Sequence, residues 1–250
     1  MSLAFDKVIL FGDSITQLAY LQEKGFCFGS AMQNAYCRKL DVIQRGYGGY
    51  TSDHAAAIID RIIQQETINS KIKLIVVFFG TNDSVVPETE DHVPLARYKD
   101  NLRKMIGASH QVGSRVILVG PAPFNHHQFM DEIEKIRDVV GVDWVCDRTT
   151  LRAREYCDAA IELGKELNVP TVPLWYLIMA EIGWREGDPI DGLAESPASN
   201  ELSKYLSDGL HFLGPAYSIL FQHTMKAIKV VYPELDPSAL PTRDPARTAL

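Results

Sequence analysis

The chain has 250 residues, enough for one sizeable domain, and no shift in composition marks an internal linker. Apolar residues make up 46% and charged residues 23%, an ordinary globular balance. A net charge of −7 argues against a nucleic-acid surface, and the longest apolar runs, such as Leu74 to Phe79, are far too short to span a bilayer.

Lys7 to Phe11 predicts a buried strand that ends in the turn Gly12-Asp13-Ser14-Ile15-Thr16. Its four-residue apolar run lacks the basic leader and small-residue cleavage site of a secretory signal, so a cytoplasmic location is expected. Ala31 to Leu40 carries Met32, Tyr36 and Leu40 at helical spacing. Val42 and Ile43 predict a short second strand. Ser52 or Asp53 is placed to cap a helix with Ile58, Ile59, Ile62 and Ile63 on its apolar face. Lys73 to Phe79 is nearly continuous in β-branched and aromatic residues, as in a strand buried on both faces.

A helix from about Pro94 presents Leu95, Tyr98, Leu102 and Met105 on one side. Ser114 to Val119 predicts a strand, Leu151 to Leu167 a helix, and Thr171 to Trp175 a further strand. Pro215 suits the first turn of a last helix with Tyr217, Leu220, Phe221 and Ile228. Such alternation predicts a parallel sheet with helices on both faces. Residues 1–232 are expected to form one domain. Residues 233–250, with four prolines and Leu235, Leu240 and Leu250, form a tail expected to dock, including across a homodimer interface. Trp184 to Lys204 has no clear period and is expected to border the substrate pocket, with Trp184 or Ile190 limiting alcohol size.

Three residue types suggest chemistry. A serine hydroxyl is a poor nucleophile until a base takes its proton, and a histidine base works best when a carboxylate orients it. Ser14 sits at the carboxyl end of the first strand. Asp208-Gly209-Leu210-His211 offers a histidine with a carboxylate three residues before it. Ligands of open parallel sheets bind beyond the carboxyl ends of the strands. There too lie Arg45 to Thr51 and Gly80-Thr81-Asn82-Asp83, where a glycine amide and an asparagine side chain offer donors to an oxyanion.

Gly12-Asp13-Ser14-Ile15, Gly48-Gly49-Tyr50-Thr51, Gly80-Thr81-Asn82-Asp83 and Asp208-Gly209-Leu210-His211 resemble, in order, the four blocks of the GDSL or SGNH hydrolases. The resemblance implies a three-layer α/β/α sandwich with a central parallel sheet, flavodoxin-like in layout. It implies Ser14 as nucleophile, His211 as general base and Asp208 as its orienting carboxylate. Ser14, Gly49 and Asn82 would form the oxyanion hole. Further stretches, among them Tyr98-Lys99-Asp100-Asn101-Leu102 and Val172-Pro173-Leu174-Trp175, are similar to the isoamyl acetate-hydrolysing esterases. That branch implies a serine esterase of small acetate and short-chain esters that needs no cofactor or metal and forms homodimers. An acetylated sugar, a thioester or a lysophospholipid would suit the same triad, and a non-catalytic scaffold is the opposing reading. Gln44 stands where that branch usually has asparagine, so bonding around the second block is expected to differ.

Other residues have plainer readings. Asp13 and Asp83 are expected to stabilise their turns. His126-His127 reads as a solvated loop, and Trp144, Trp175 and Trp184 as packing residues. Val85 and Val86, close behind the third block, are expected to narrow the acyl pocket. Cys27, Cys37, Cys146 and Cys157 lack metal or redox spacing and are expected to be free thiols.

Overall fold

The computed structural model describes residues 4–141, 145–198 and 201–243. Trp144, Leu250 and the rest of the tail beyond Arg243 lie outside them, as do positions 199 and 200 of the irregular loop. Five parallel strands form one sheet: β1 (Lys7–Gly12), β2 (Asp41–Gly46), β3 (Ile72–Phe78), β4 (Arg115–Gly120) and β5 (Thr171–Pro173). Their order is β2-β1-β3-β4-β5. The chain runs outward from β1 to β2 and then crosses back to β3. The carboxyl ends of β1 and β3 therefore flank the point where the winding reverses, and a crevice opens there in doubly wound sheets.

Helices cover both faces, as the alternation predicted. The period of two along each strand divides its side chains between two cores. Val8, Leu10, Val76 and Phe78 pack with α2 (Phe28–Ala35), α7 (Leu174–Glu181) and α8 (Gly214–Val231). Ile9, Phe11, Val77 and Phe79 pack with α3 (Ser52–Glu66), α4 (Leu95–Gln111) and much of α6 (Thr150–Leu167). Burial on both faces is why these strands read as continuous apolar runs.

Four local readings change. The predicted helix over Ala31 to Leu40 begins earlier and stops at Ala35, because Tyr36 caps it and Arg38 turns the chain at φ 60°. Helix α3 is capped by Thr51 rather than Ser52 or Asp53. Thr51 and His54 form a reciprocal box, the His54 Nδ1 accepting from the Thr51 amide at 3.1 Å. Strand β5 ends at Pro173, and Trp175 lies in α7, where its Nε1 donates to the Thr150 carbonyl at 3.0 Å. His126 and His127 are not in a loop but open α5 (His126–Val140). Phe129, Ile133 and Ile136 carry its helical period, yet only Ile133 is deeply buried among its described residues.

The described part of the tail, to Arg243, folds onto its own chain. The Tyr36 hydroxyl donates to the Leu235 carbonyl at 2.8 Å, and Arg38 donates to the Arg243 carbonyl. Leu235 is buried, and Leu240 packs beside the first core. No helix among the described residues is long and apolar enough to cross a membrane. All four cysteines are free thiols.

Candidate active site

The turn after β1 is held by its own aspartate. Asp13 caps the short helix α1 (Ser14–Gln17), its Oδ1 accepting from the Ile15 amide at 2.9 Å. Ser14 is the first helical residue, so its side chain stands at the mouth of the crevice, half-exposed. Almost two hundred residues later, Asp208–His211 forms a tight turn beside it. Asp208 Oδ1 accepts the Leu210 and His211 amides at 2.9 and 2.7 Å. Its other oxygen meets His211 Nδ1 at 2.6 Å, and His211 Nε2 lies 3.0 Å from Ser14 Oγ.

This file of three side chains has a definite proton arrangement. An ionised Asp208 only accepts, so it draws the ring proton to Nδ1 and leaves the lone pair of Nε2 facing the serine hydroxyl. Partial burial opposes the charge on Asp208. The bond and charge of His211 and the two amides outweigh it and hold the carboxyl down to about 2. Arranged so, the serine can lose its proton as it attacks a carbonyl carbon.

The candidate oxyanion donors lie on two other loops, which the structure ties to the serine turn. Tyr47 N donates to the Gly12 carbonyl at 2.9 Å. Gly46 packs so closely on α1 that a Cβ there would lie 2.1 Å from the Gln17 nitrogen. Gln17 Oε1 then accepts the Gly48 amide at 2.7 Å. The Gly49 amide, by contrast, meets no hydrogen-bond acceptor among the described residues, and its φ of +77° favours glycine. The Gln44 amide donates to the Gln17 carbonyl at 2.8 Å, a second link between these loops. Asn82 is nearly buried, and its Nδ2 donates to the Tyr50 carbonyl at 3.0 Å.

Ser14, Asp208 and His211 thus meet directly. Gly49 and Asn82 are joined to them and to each other through Gln17 and Tyr50. The roles of Gln17, the Tyr50 carbonyl and Arg148, which bonds to Asn82, have no local signal in sequence.

Two buried carboxylates underpin the loops. Asp83 accepts the Ser52 amide at 2.9 Å, joining the third block to the start of α3. Burial pushes it up to about 7, against the bonds from Ser52. Burial likewise pushes Asp13 up to about 6, against the Ile15 amide and the charges of His211 and Arg148. Between about pH 4 and 6 the folded chain therefore keeps a proton that the unfolded chain has released. Stability falls as pH rises through that window. Asp13→Asn keeps the cap acceptor and removes the charge. Relative to wild type it is expected to gain up to about 3 kcal/mol between pH 4 and pH 7. Denaturant unfolding at both pH values measures this; an equal difference at the two would refute it.

The irregular loop after α7 is anchored by aromatics. Trp184 packs edge-on against Trp175 at 5.0 Å, and the Arg154 guanidinium lies over both rings. Further along, the Gly192 carbonyl accepts the His126 amide, and the Asn125 amide donates to Gly209. The loop, the start of α5 and the Asp208–His211 turn brace one another. Val85 is fully buried and Val86 partly so.

The profile of the GDSL-like Lipase/Acylhydrolase family matches residues 10–217, a span that includes all four blocks. The chain belongs to that family. It is a carboxylic-ester hydrolase. It is 32% identical over 241 residues to the isoamyl acetate-hydrolyzing esterase of Saccharomyces cerevisiae, covering 93% of this chain and 90% of that protein. Identity to the human isoamyl acetate-hydrolyzing esterase 1 homolog is 28%, over 91% and 83% of the two chains. Solved structures share the fold. A lipase/acylhydrolase from Enterococcus faecalis superposes with a TM-score of 0.62 at 21% identity, covering 96% of this chain and 99% of that one. An acetylxylan esterase from Geobacillus stearothermophilus gives 0.62 at 16% identity, over 91% and 96%.

Proposed function

We propose that this hydrolase cleaves acetate and other short-chain esters of small alcohols, through an acyl-enzyme on Ser14. The observation that carries the mechanism is the unbroken file Ser14 Oγ, His211 Nε2, His211 Nδ1, Asp208 Oδ2, with its two gaps of 3.0 and 2.6 Å. As Ser14 Oγ bonds to the ester carbon, its proton passes to His211 Nε2. The carbonyl π electrons move to oxygen, and the amides of Ser14 and Gly49 with Asn82 Nδ2 meet that charge. When the tetrahedral intermediate collapses, the C–O bond to the alcohol breaks and His211 returns the proton to the leaving oxygen. Water repeats the cycle: His211 takes its proton, hydroxide adds to the acyl carbon, and the serine leaves with the proton back on Oγ.

The acyl preference rests on the relatives named for isoamyl acetate hydrolysis. A methylene that fits contributes about 0.8 kcal/mol, and one that does not fit clashes. In a series of p-nitrophenyl esters, kcat/KM is expected to peak between acetyl and butyryl and to fall by octanoyl. Faster octanoyl turnover would instead favour a lysophospholipase or long-chain thioesterase.

A further inference from the structure

Arg148 is a cation that the reaction above does not use. It lies just ahead of α6, and its side chain is only 16% exposed. The guanidinium makes three directed contacts. Nη1 donates to the Thr81 carbonyl at 2.8 Å, Nη2 to Asn82 Oδ1 at 3.3 Å, and Nε faces Asp147 Oδ1 at 3.3 Å. The Asp147 carbonyl in turn accepts the Val86 amide at 2.8 Å, so the segment grips the loop on both sides of Asn82.

We propose that Arg148 is a positioning residue for the oxyanion contact: it sets the orientation of the Asn82 amide and turns its free N–H toward the carbonyl oxygen of an ester on Ser14. The proposal rests on the reading of Asn82 as an oxyanion donor. An asparagine amide has two ends of nearly equal shape and opposite polarity, so only its partners decide which way it faces. Here the partners are unlike. The Tyr50 carbonyl takes a donor and the Arg148 guanidinium takes an acceptor. Flipping the amide would set oxygen against oxygen and N–H against N–H. The observed orientation uses one Nδ2 hydrogen on Tyr50 and leaves the second with no acceptor among the described residues.

Charge adds to geometry. A cation on Oδ1 draws electron density out of the amide nitrogen and strengthens its remaining N–H as a donor, and in a nearly buried site that polarisation is weakly screened. The fork matters as well. It holds the Thr81 carbonyl and the Asn82 side chain at once, which a lysine's single ammonium would not reproduce. Because the donor acts on charge that develops only in the transition state, losing its aim lowers kcat and spares KM.

A purely structural staple would affect stability alone, so the test separates the two. Asn82→Ala, Arg148→Met, Arg148→Lys and the combined Asn82→Ala/Arg148→Met variant are compared with wild type. The readouts are kcat and KM on p-nitrophenyl acetate, the unfolding midpoint, and the Ki of a small alkylboronic acid. The boronic acid accepts Ser14 Oγ at boron while His211 takes the proton, and the adduct mimics the tetrahedral charge. Asn82→Ala is expected to lower kcat about 10²–10³-fold. Arg148→Met is expected to lower it about 10²-fold, the cost typical of a misplaced group, with KM within about threefold of wild type. The boronic acid weakens in parallel. Arg148→Lys recovers the unfolding midpoint better than it recovers kcat. The combined variant is no slower than Asn82→Ala, since Arg148 acts through Asn82.

Multiplicative losses in the combined variant, or an Arg148→Met enzyme with reduced stability and unchanged kcat, would overturn the proposal and leave the oxyanion reading standing. Unchanged kcat in Asn82→Ala would remove that reading and the proposal with it. Should Arg148→Met not fold, Arg148→Lys alone and combined with Asn82→Ala carries the same comparison.

Discussion

Purified Ser14→Ala is expected to lose about 10⁶-fold in kcat, the scale seen when a triad nucleophile is removed. The fold should be untouched. Ser14 is half-exposed, its hydroxyl has one partner among the described residues, His211, and the helix behind it is capped by Asp13 rather than by the serine. Deleting the hydroxyl leaves no buried group without a partner, so the unfolding midpoint should stay within experimental error of wild type. A small residue of activity is expected to survive, because the proposed oxyanion donors would still hold the ester for attack by water. Turnover within tenfold of wild type, on protein checked for its mass, would rule out Ser14 as the nucleophile.

Asp208→Asn is expected to lower kcat by about 10⁴-fold with almost the same geometry. The remaining oxygen can still accept the Leu210 and His211 amides. The new NH₂ would face His211 Nδ1, however, where the carboxylate now accepts a proton. Two donors repel, so the ring shifts its proton to Nε2, and the nitrogen facing Ser14 no longer has a lone pair to offer. The same substitution has a second signature. The folded-state pKa of Asp208 is depressed from 3.8 to about 2, so its contribution to stability is present above about pH 4 and is lost as pH falls toward 2. The Asn variant should lack that share of acid sensitivity. Kinetics at neutral pH and unfolding curves from pH 5 down to pH 2 test both parts. Wild-type kcat would show that the carboxylate does not control the tautomer.

Much of the layout was legible before any coordinates. Strands buried on both faces cannot be mistaken for amphipathic surface elements, and Val8 to Phe11, Leu74 to Phe78 and Val116 to Val119 all lie in the sheet. The helices read correctly were those with a wide apolar stripe, such as α3 and α4. Failures came where local pattern and tertiary packing disagree. Helix α5 was missed because little of its surface is buried, so its period is thin and its opening histidines look like a loop. Residues Leu174 and Trp175 have strand-forming neighbours, yet the contact of Trp175 with Thr150 and the ring of Trp184 favours a helix there.

The four short blocks determined the family and offered Ser14, Asp208, His211, Gly49 and Asn82 as candidates, because each block is a contiguous turn whose side chains lie within a few residues. Sequence also explains why Asp13 caps α1, whereas the reason for glycine at position 49, its φ of +77°, is seen only in the fold. What only the tertiary structure decided is how the blocks reach one another. Parallel strands require long crossovers, so partners such as Gln17 and Gly48, Asn82 and Tyr50, or Arg148 and Asn82 lie 31, 32 and 66 positions apart. No periodicity links residues at such distances; their pairing follows from the strand order β2-β1-β3-β4, which brings the loops after these strands and the segment before α6 to one crevice. That Gln17 occupies the Gly48 amide, and the direction in which the Asn82 amide points, belong to that crevice alone.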